Sequence, residues 1–276
     1  MSQNKIVILG VDALEYDLVE EWDLQIYKQK SYGKIEVPIL EKHEEPSTPV
    51  VWASFITGEE PKITEVTRFK DWDNPILPLL DRMAIKLGIT IKTRKKVGDF
   101  FSKIGFKKKP PTKDRYQKIG TIFSDIPNSK AISVPSYNED EEVFEIRRAV
   151  IFAFDNENEK KLIAEKIYMM DVEKVNELIT SLHENTLLMA HLFTLDVVQH
   201  LYFKKPEVIH TYYDKMSELV TKVKEKLEKS DHLLIVSDHG QKKGLHTPYG
   251  FYSANKNLKV NSILEFREFI KKLSKM

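Results

Sequence analysis

No cysteine occurs anywhere in the 276 residues. Disulfides and thiolate metal sites are therefore excluded, and any metal here must be held by imidazole, carboxylate or hydroxyl groups. The same absence points to the cytoplasm. No apolar run reaches the roughly 18–20 residues needed to cross a bilayer. Met1-Ser2-Gln3-Asn4-Lys5 leads straight into an apolar segment. It has no charged n-region, long h-region or small-residue cleavage site, so neither a signal peptide nor a transmembrane segment is expected. Internal repeats are also missing.

What is present suffices for one large α/β domain, because 41% of the chain is hydrophobic. Charged residues make up 31%, rich in Lys and Glu, the bias of heat-adapted proteins. The net charge of +1 is unevenly spread. From Lys86 to Lys118 there are twelve Lys/Arg and two Asp, a local +10, which leaves −9 for the rest. This basic insert, interleaved with Phe100, Phe101 and Phe106, reads either as a solvated surface or as an electrostatic collar for nucleic acid or an anionic surface.

Strand-like segments alternate with helical ones. Lys5–Val11, Lys34–Pro38, Lys130–Val134, Arg148–Phe154, Thr186–Phe193 and His232–Val236 read as strands. Leu14–Tyr27, Val51–Thr57, Ile76–Leu87, most of 157–184, Pro206–Lys229 and Ser262–Leu273 read as helices. The alternation predicts an α/β sandwich. The whole chain, 1–276, is expected to form one catalytic domain, with a cap inserted at about 59–130.

Three strand ends carry Asp12, Asp196 and Asp238. In an open α/β sheet those ends share one edge, so distant carboxylates can meet there. Asp196-x-x-x-His200 places both side chains on one face of a helix. Ser237-Asp238-His239-Gly240 sets adjacent ligands on a strand-to-loop turn, and His246 follows shortly after. Oxygen and imidazole donors suit zinc and also manganese or iron. Thr48 lies in Pro46-Ser47-Thr48-Pro49, at or beside a helix N-cap, where the dipole and free amides favour anions. Three Asp, three His and one hydroxyl form a donor set suited to a two-metal phosphoryl-transfer site.

In that order, Gly10-Val11-Asp12, the segment Pro46 to Gly58, Asp196 with His200, Ser237-Asp238-His239-Gly240 and His246-Thr247-Pro248 resemble the alkaline phosphatase superfamily, most closely the type I phosphodiesterase/nucleotide pyrophosphatase family. Residues 5–58 and 186–250 match well, and 59–185 loosely. The resemblance implies an alkaline-phosphatase-like α/β/α sandwich with a small inserted cap. It implies Thr48 as nucleophile, forming a phospho-threonine intermediate. One divalent metal would be held by Asp12, Thr48, Asp238 and His239, the other by Asp196, His200 and His246, with Zn2+ first and Mn2+ second. A small phosphate ester such as a nucleotide would be the substrate. The chain departs from the pattern at Val51, where animal enzymes place an Asn that clamps a phosphate oxygen. That clamp must come from elsewhere, with backbone N–H groups and Tyr137 as candidates.

Taken alone, Thr48 reads as a capping residue and Asp12 as a strand-end cap. His191 and His232 read as core or edge residues, His43 as solvent-facing and Trp52 as packing. Alternative functions are a phosphomonoesterase, a phosphoglycerate mutase-like enzyme, or a non-catalytic protein that binds metal and nucleic acid.

Overall fold

The computed structural model describes residues 4–41, 43–69, 71–72, 108–109, 113–153 and 156–275. The expected helix at 76–87 and most of the basic insert 86–118 lie outside them. The expected cap, 59–130, does so in large part.

The strands are β1 (Ile6–Val11), β2 (Ser31–Glu36), β3 (Asp71–Trp72), β4 (Lys108–Lys109), β5 (Ser129–Ile132), β6 (Leu187–Leu192), β7 (His232–Ser237), β8 (Gln241–Lys242), β9 (Leu245–His246) and β10 (Tyr249–Ala254). Six of them form one sheet in the order β2-β10-β7-β1-β6-β5. β1 pairs in parallel with β6 and with β7, and β5 pairs in parallel with β6. β10 runs antiparallel to both β7 and β2.

Every residue of β1, β6 and β7 is buried, which explains their continuous apolar runs. Alternate side chains serve opposite faces. Val7, Leu9 and Val11 join one core, beneath α5 (Glu141–Phe152), α6 (Glu157–Thr180), α7 (Thr194–Tyr202) and α8 (Pro206–Glu225). Ile6 and Ile8 join the other, beneath α2 (Thr48–Thr57), α4 (Ile122–Asp125) and α9 (Phe266–Leu273). The architecture is thus an α/β/α sandwich.

Four expectations need correction. Of the expected strand Arg148–Phe154, residues 148–152 are the end of helix α5, and Phe154 lies outside the described residues. Val143, Ile146 and Val150 recur at helical spacing on its core side, and that longer period overrides the local β-branched run. The expected helix Leu14–Tyr27 is broken. It becomes α1 (Tyr16–Glu21) and a 3-10 turn, Gln25–Tyr27, separated at Asp23 with φ 49°. The helix beginning at Pro206 stops at Glu225 rather than at Lys229, and the closing segment starts as a 3-10 turn, Ile263–Glu265. β10 was not anticipated.

Candidate metal centre and active site

The carboxyl ends of the three central strands build the site. Gly10 pairs with Val236 across β1 and β7, so two residues on Asp12 is level with Asp238. On the other side Asp12 N donates to Leu192 O at the end of β6 (2.9 Å). Asp196 sits in the first turn of α7 and His200 in its last. The turn between β6 and α7 is fixed by the buried Asp171. Its Oδ2 accepts from Phe193 N (2.7 Å), Thr194 N (2.8 Å) and Thr194 Oγ1 (2.7 Å). Thr48 is the first residue of α2, after the N-cap Ser47, and Gly58 ends that helix in the left-handed region (φ 70°). All ten residues of α2 are buried, so the nucleophile candidate is held by a rigid element. A Cβ on Gly10 would lie 2.7 Å from the Trp52 ring, so only glycine lets α2 press this close to β1. Trp52 is fully buried and serves packing.

The seven nominated residues fall into two adjoining groups. His239 Nε2 lies 3.4 Å from Asp12 Oδ1, 3.3 Å from Asp238 Oδ2 and 3.3 Å from Thr48 Oγ1. His200 Nε2 lies 3.3 Å from Asp196 Oδ1 and 3.1 Å from His246 Nε2, which is itself 3.6 Å from Asp196 Oδ1. The two groups touch through the rings of His239 and His246, stacked 3.8 Å apart. Four ligands at about 2.0–2.1 Å around a tetrahedral ion stand roughly 3.3–3.4 Å from one another. The spacings found suit such an ion.

Burial strengthens that fit. Both oxygens of Asp12, both of Asp238 and Oδ1 of Asp196 are buried without a hydrogen-bond partner. Uncompensated buried carboxylates are costly, and a cation resolves the cost. Burial, then the charges of Asp238 and Asp196, push the Asp12 pKa well above the usual carboxylate range. Burial also opposes ionisation of Asp196, but the charge of His200 and the close approach of the His200 and His246 rings hold it well below that range. Burial lowers the His246 pKa, yet its contacts with Asp196 outweigh this and bring it up to about 9. A proton thus stands where a cation would serve.

Outer partners aim these ligands. His246 Nδ1 faces Pro46 O (3.3 Å), and its main-chain N donates to Glu45 Oε2 (3.1 Å). His239 Nδ1 faces Gly240 O (3.2 Å), and the Gln241 amide meets His200 Nδ1 (2.9 Å). Each Nε2 is thereby left for the site. The loop carrying them is pinned by the buried Glu15. That carboxylate accepts from Thr247 Oγ1 (3.1 Å) and Tyr249 OH (2.8 Å), while Gly240 N donates to Thr247 Oγ1 (2.9 Å).

A cavity of 480 Å³, lined by Thr48, His246, Phe69, Glu44 and Glu45 among others, gives access to the hydroxyl. His43 is exposed, as expected, and lines this cavity as well. Tyr137 stacks with Tyr116 and packs on Phe123.

Sequence reasoning missed two residues. Arg147 of α5 lies with its guanidinium 3.8 Å from the Phe69 ring centre and 4.3 Å from that of Phe193. Glu139 Oε1 is 2.6 Å from its Nη1, yet neither Nη1 nor Nη2 makes an aligned hydrogen bond. His191 is fully enclosed, with Nε2 3.5 Å from Asp12 Oδ2. Neither residue sits in a recognisable short pattern.

A family model for type I phosphodiesterases/nucleotide pyrophosphatases matches residues 6–268. The chain belongs to that family. It is accordingly a phosphoric ester hydrolase, and the match covers nearly its whole length. No curated protein matches the sequence. Among solved structures, PH0037 from Pyrococcus horikoshii superposes with a TM-score of 0.53 at 10% identity, covering 100% of this chain and 98% of that one. A mutant alkaline phosphatase from the Antarctic bacterium TAB5, with Mg bound, gives 0.56 at 8% identity, covering 100% and 99%. The PsFucS1 sulfatase from Pseudoalteromonas sp. gives 0.50 at 10% identity, covering 99% and 68%. These likenesses establish the alkaline-phosphatase-like fold. Among the described residues no helix is long and apolar enough to cross a membrane.

Proposed function

We propose that this hydrolase cleaves a phosphodiester or nucleotide pyrophosphate through a phospho-threonine intermediate on Thr48. Two divalent cations, zinc foremost, are the cofactors. Asp12, Thr48, Asp238 and His239 hold one, and Asp196, His200 and His246 hold the other. The observation that carries this reading is the set of orphaned buried carboxylates gathered around His239, whose Nε2 lies 3.3 Å from the Thr48 hydroxyl.

Two ions so held, when bound, lower the pKa of the attacking hydroxyl and of water and offset charge on the transferring group. The rest is done by the chain. Thr48 Oγ1, fixed at the start of α2, loses its proton and forms the new bond to phosphorus as the bond to the leaving oxygen breaks, and that oxygen takes up a proton from solvent. Water then loses a proton and attacks phosphorus, the P–Oγ1 bond breaks, and Oγ1 regains a proton, restoring Thr48. The amino-terminal dipole of α2 favours the negative phosphoryl oxygens. Arg147, whose Nη1 is paired with Glu139 and whose Nη2 makes no hydrogen bond, takes the clamping task that Val51 cannot perform. The chain is read as one catalytic domain, in which α4 and β5 belong to the sandwich and not to a cap.

The test is a paired assay of bis-p-nitrophenyl phosphate and p-nitrophenyl phosphate with added zinc or manganese, on wild type and Thr48→Ala. Metal-dependent diester cleavage that disappears in the variant supports the proposal. A strong monoester preference keeps the site and moves the function to a phosphatase.

A further inference from the structure

His191, at the penultimate position of β6, is the buried titratable group that the mechanism above leaves unused. Its main chain is fixed: Lys174 Nζ donates to His191 O (3.1 Å) and also meets Asp171 Oδ1 (3.2 Å). Its ring is fixed too, standing edge-on to the Trp52 indole at 5.1 Å and tilted against Phe193 at 6.3 Å. Trp52 is on α2, one turn after Thr48, so this ring lies between the nucleophile helix and Asp12.

The two oxygens of Asp12 face different imidazoles. Oδ1 is 3.4 Å from His239 Nε2, inside the first candidate ion site, and Oδ2 is 3.5 Å from His191 Nε2. Neither His191 Nε2 nor Asp12 Oδ2 has a hydrogen-bond partner among the described residues. Two buried orphans at this separation stand a few tenths of an ångström beyond a normal N–H···O contact of about 2.7–3.2 Å. Leaving both unpaired costs more than closing that gap.

We propose that His191 is a positioning residue whose neutral ring donates Nε2–H to Asp12 Oδ2, reserving Oδ1 for the cation shared with Asp238 and His239. The proposal rests on the two-metal reading of the site. A carboxylate so held is a one-oxygen ligand of fixed direction. The same ring, wedged against Trp52, sets the distance between that ligand and the Thr48 helix. A histidine that merely fills space accepts Phe in its place; one that positions Asp12 needs a donor.

The test uses His191→Phe and His191→Gln in the full chain. The 15N NMR spectrum of the zinc-loaded wild type, in which Asp12 is ionised, is expected to show the Nε2–H tautomer for His191, and an Nδ1–H tautomer overturns the proposal. Calorimetric titration of manganese into stripped protein is expected to show one of two sites weakened about 10- to 100-fold in His191→Phe. His191→Gln is expected to recover most of that loss. Equal affinity in His191→Phe and wild type also overturns it. Thermal unfolding of the stripped variants reports separately whether they fold, and the tautomer needs no variant. If tautomer and affinity behave as stated while no phosphate ester is turned over, the functional reading fails and the role of His191 stands. If turnover is metal-dependent while His191→Phe binds manganese like wild type, the reverse holds.

Discussion

Thr48 Oγ1 and His239 Nε2 lie 3.3 Å apart, although 191 positions separate them in the chain. The fold brings them together because α2 is pressed on β1 at Gly10, and β1 and β7 are neighbours in register. If Thr48 is the nucleophile, Thr48→Ala lowers kcat on the diester by at least about 1,000-fold, the scale of losing a covalent nucleophile. Thr48→Ser keeps part of the rate. Steady-state kinetics on the metal-loaded proteins measures both, and Thr48→Ala retaining most of the rate ends the covalent mechanism.

Metal binding should depend on pH with a definite sign. Asp12 has its pKa raised well above the ordinary value, by burial first and by Asp238 and Asp196 next. A raised carboxyl pKa means that the stripped folded protein binds a proton the unfolded chain has already lost. Its stability from this group is present at low pH and drains as pH rises. A cation replaces that proton, so loading stabilises more at higher pH. The difference in Tm between manganese-loaded and chelator-treated protein is expected to widen from pH 5 to pH 8. A constant or narrowing difference contradicts the assignment of Asp12.

Most of the candidate site was legible in the sequence for a physical reason. Asp12, Asp196 and Asp238 each follow a short, mostly apolar run, and such runs mark buried parallel strands whose ends converge. Arg147 and His191 left no such trace, because a helix face and the interior of a strand acquire their meaning only through packing. The same limit explains the misread Arg148–Phe154, where a β-branched run is the end of a helix begun seven residues earlier at Glu141. β10 went unseen because its aromatic-rich run, Tyr249 to Ala254, follows immediately on the candidate ligand His246, Thr247 and a proline.

His232, at the opposite end of β7 from the site, offers a control on stability alone. Both ring nitrogens are buried without partners. Burial, then the cation of Lys256, lower its pKa. With the folded pKa below the unfolded value of about 6.5, the unfolded chain takes the proton first, so stability holds above that pH and is lost as pH falls through the folded value. His232→Leu is expected to raise Tm relative to wild type, by more at pH 5.5 than at pH 8. An increment independent of pH shows that His232 does not titrate in this way.

Gly240 tests the loop that carries His239 and His246. A Cβ there would stand 2.7 Å from the Glu15 carboxyl carbon and 2.7 Å from Thr247 Oγ1. Glu15 cannot swing out to water, because it is fully buried and holds Thr247 and Tyr249. Gly240→Ala is therefore expected to cost about 1–3 kcal/mol, the range for overpacking a close-packed interior. Denaturant unfolding measures that loss, and calorimetry is expected to show weaker metal binding. Undiminished stability and affinity show that the loop adapts, and that Glu15 does not fix it.

Arg147 carries the sharpest functional prediction outside the nominated ligands. Its guanidinium is stacked between Phe69 and Phe193, and Phe69 also lines the cavity that reaches Thr48. Its pairing with Glu139 leaves donors unspent. A charge-assisted hydrogen bond is worth about 1.5–3 kcal/mol, so Arg147→Met is expected to lower kcat/KM by roughly 10- to 100-fold. The loss should be larger for p-nitrophenyl phosphate than for bis-p-nitrophenyl phosphate, because the monoester presents two negative charges and the diester one. Arg147→Lys recovers the charge without the planar fork and is expected to restore only part of the rate. Kinetics on the three proteins, with thermal unfolding to confirm the fold, decide the matter. Equal losses on both esters, or none, remove Arg147 from contact with the phosphoryl group and return it to the packing of α5.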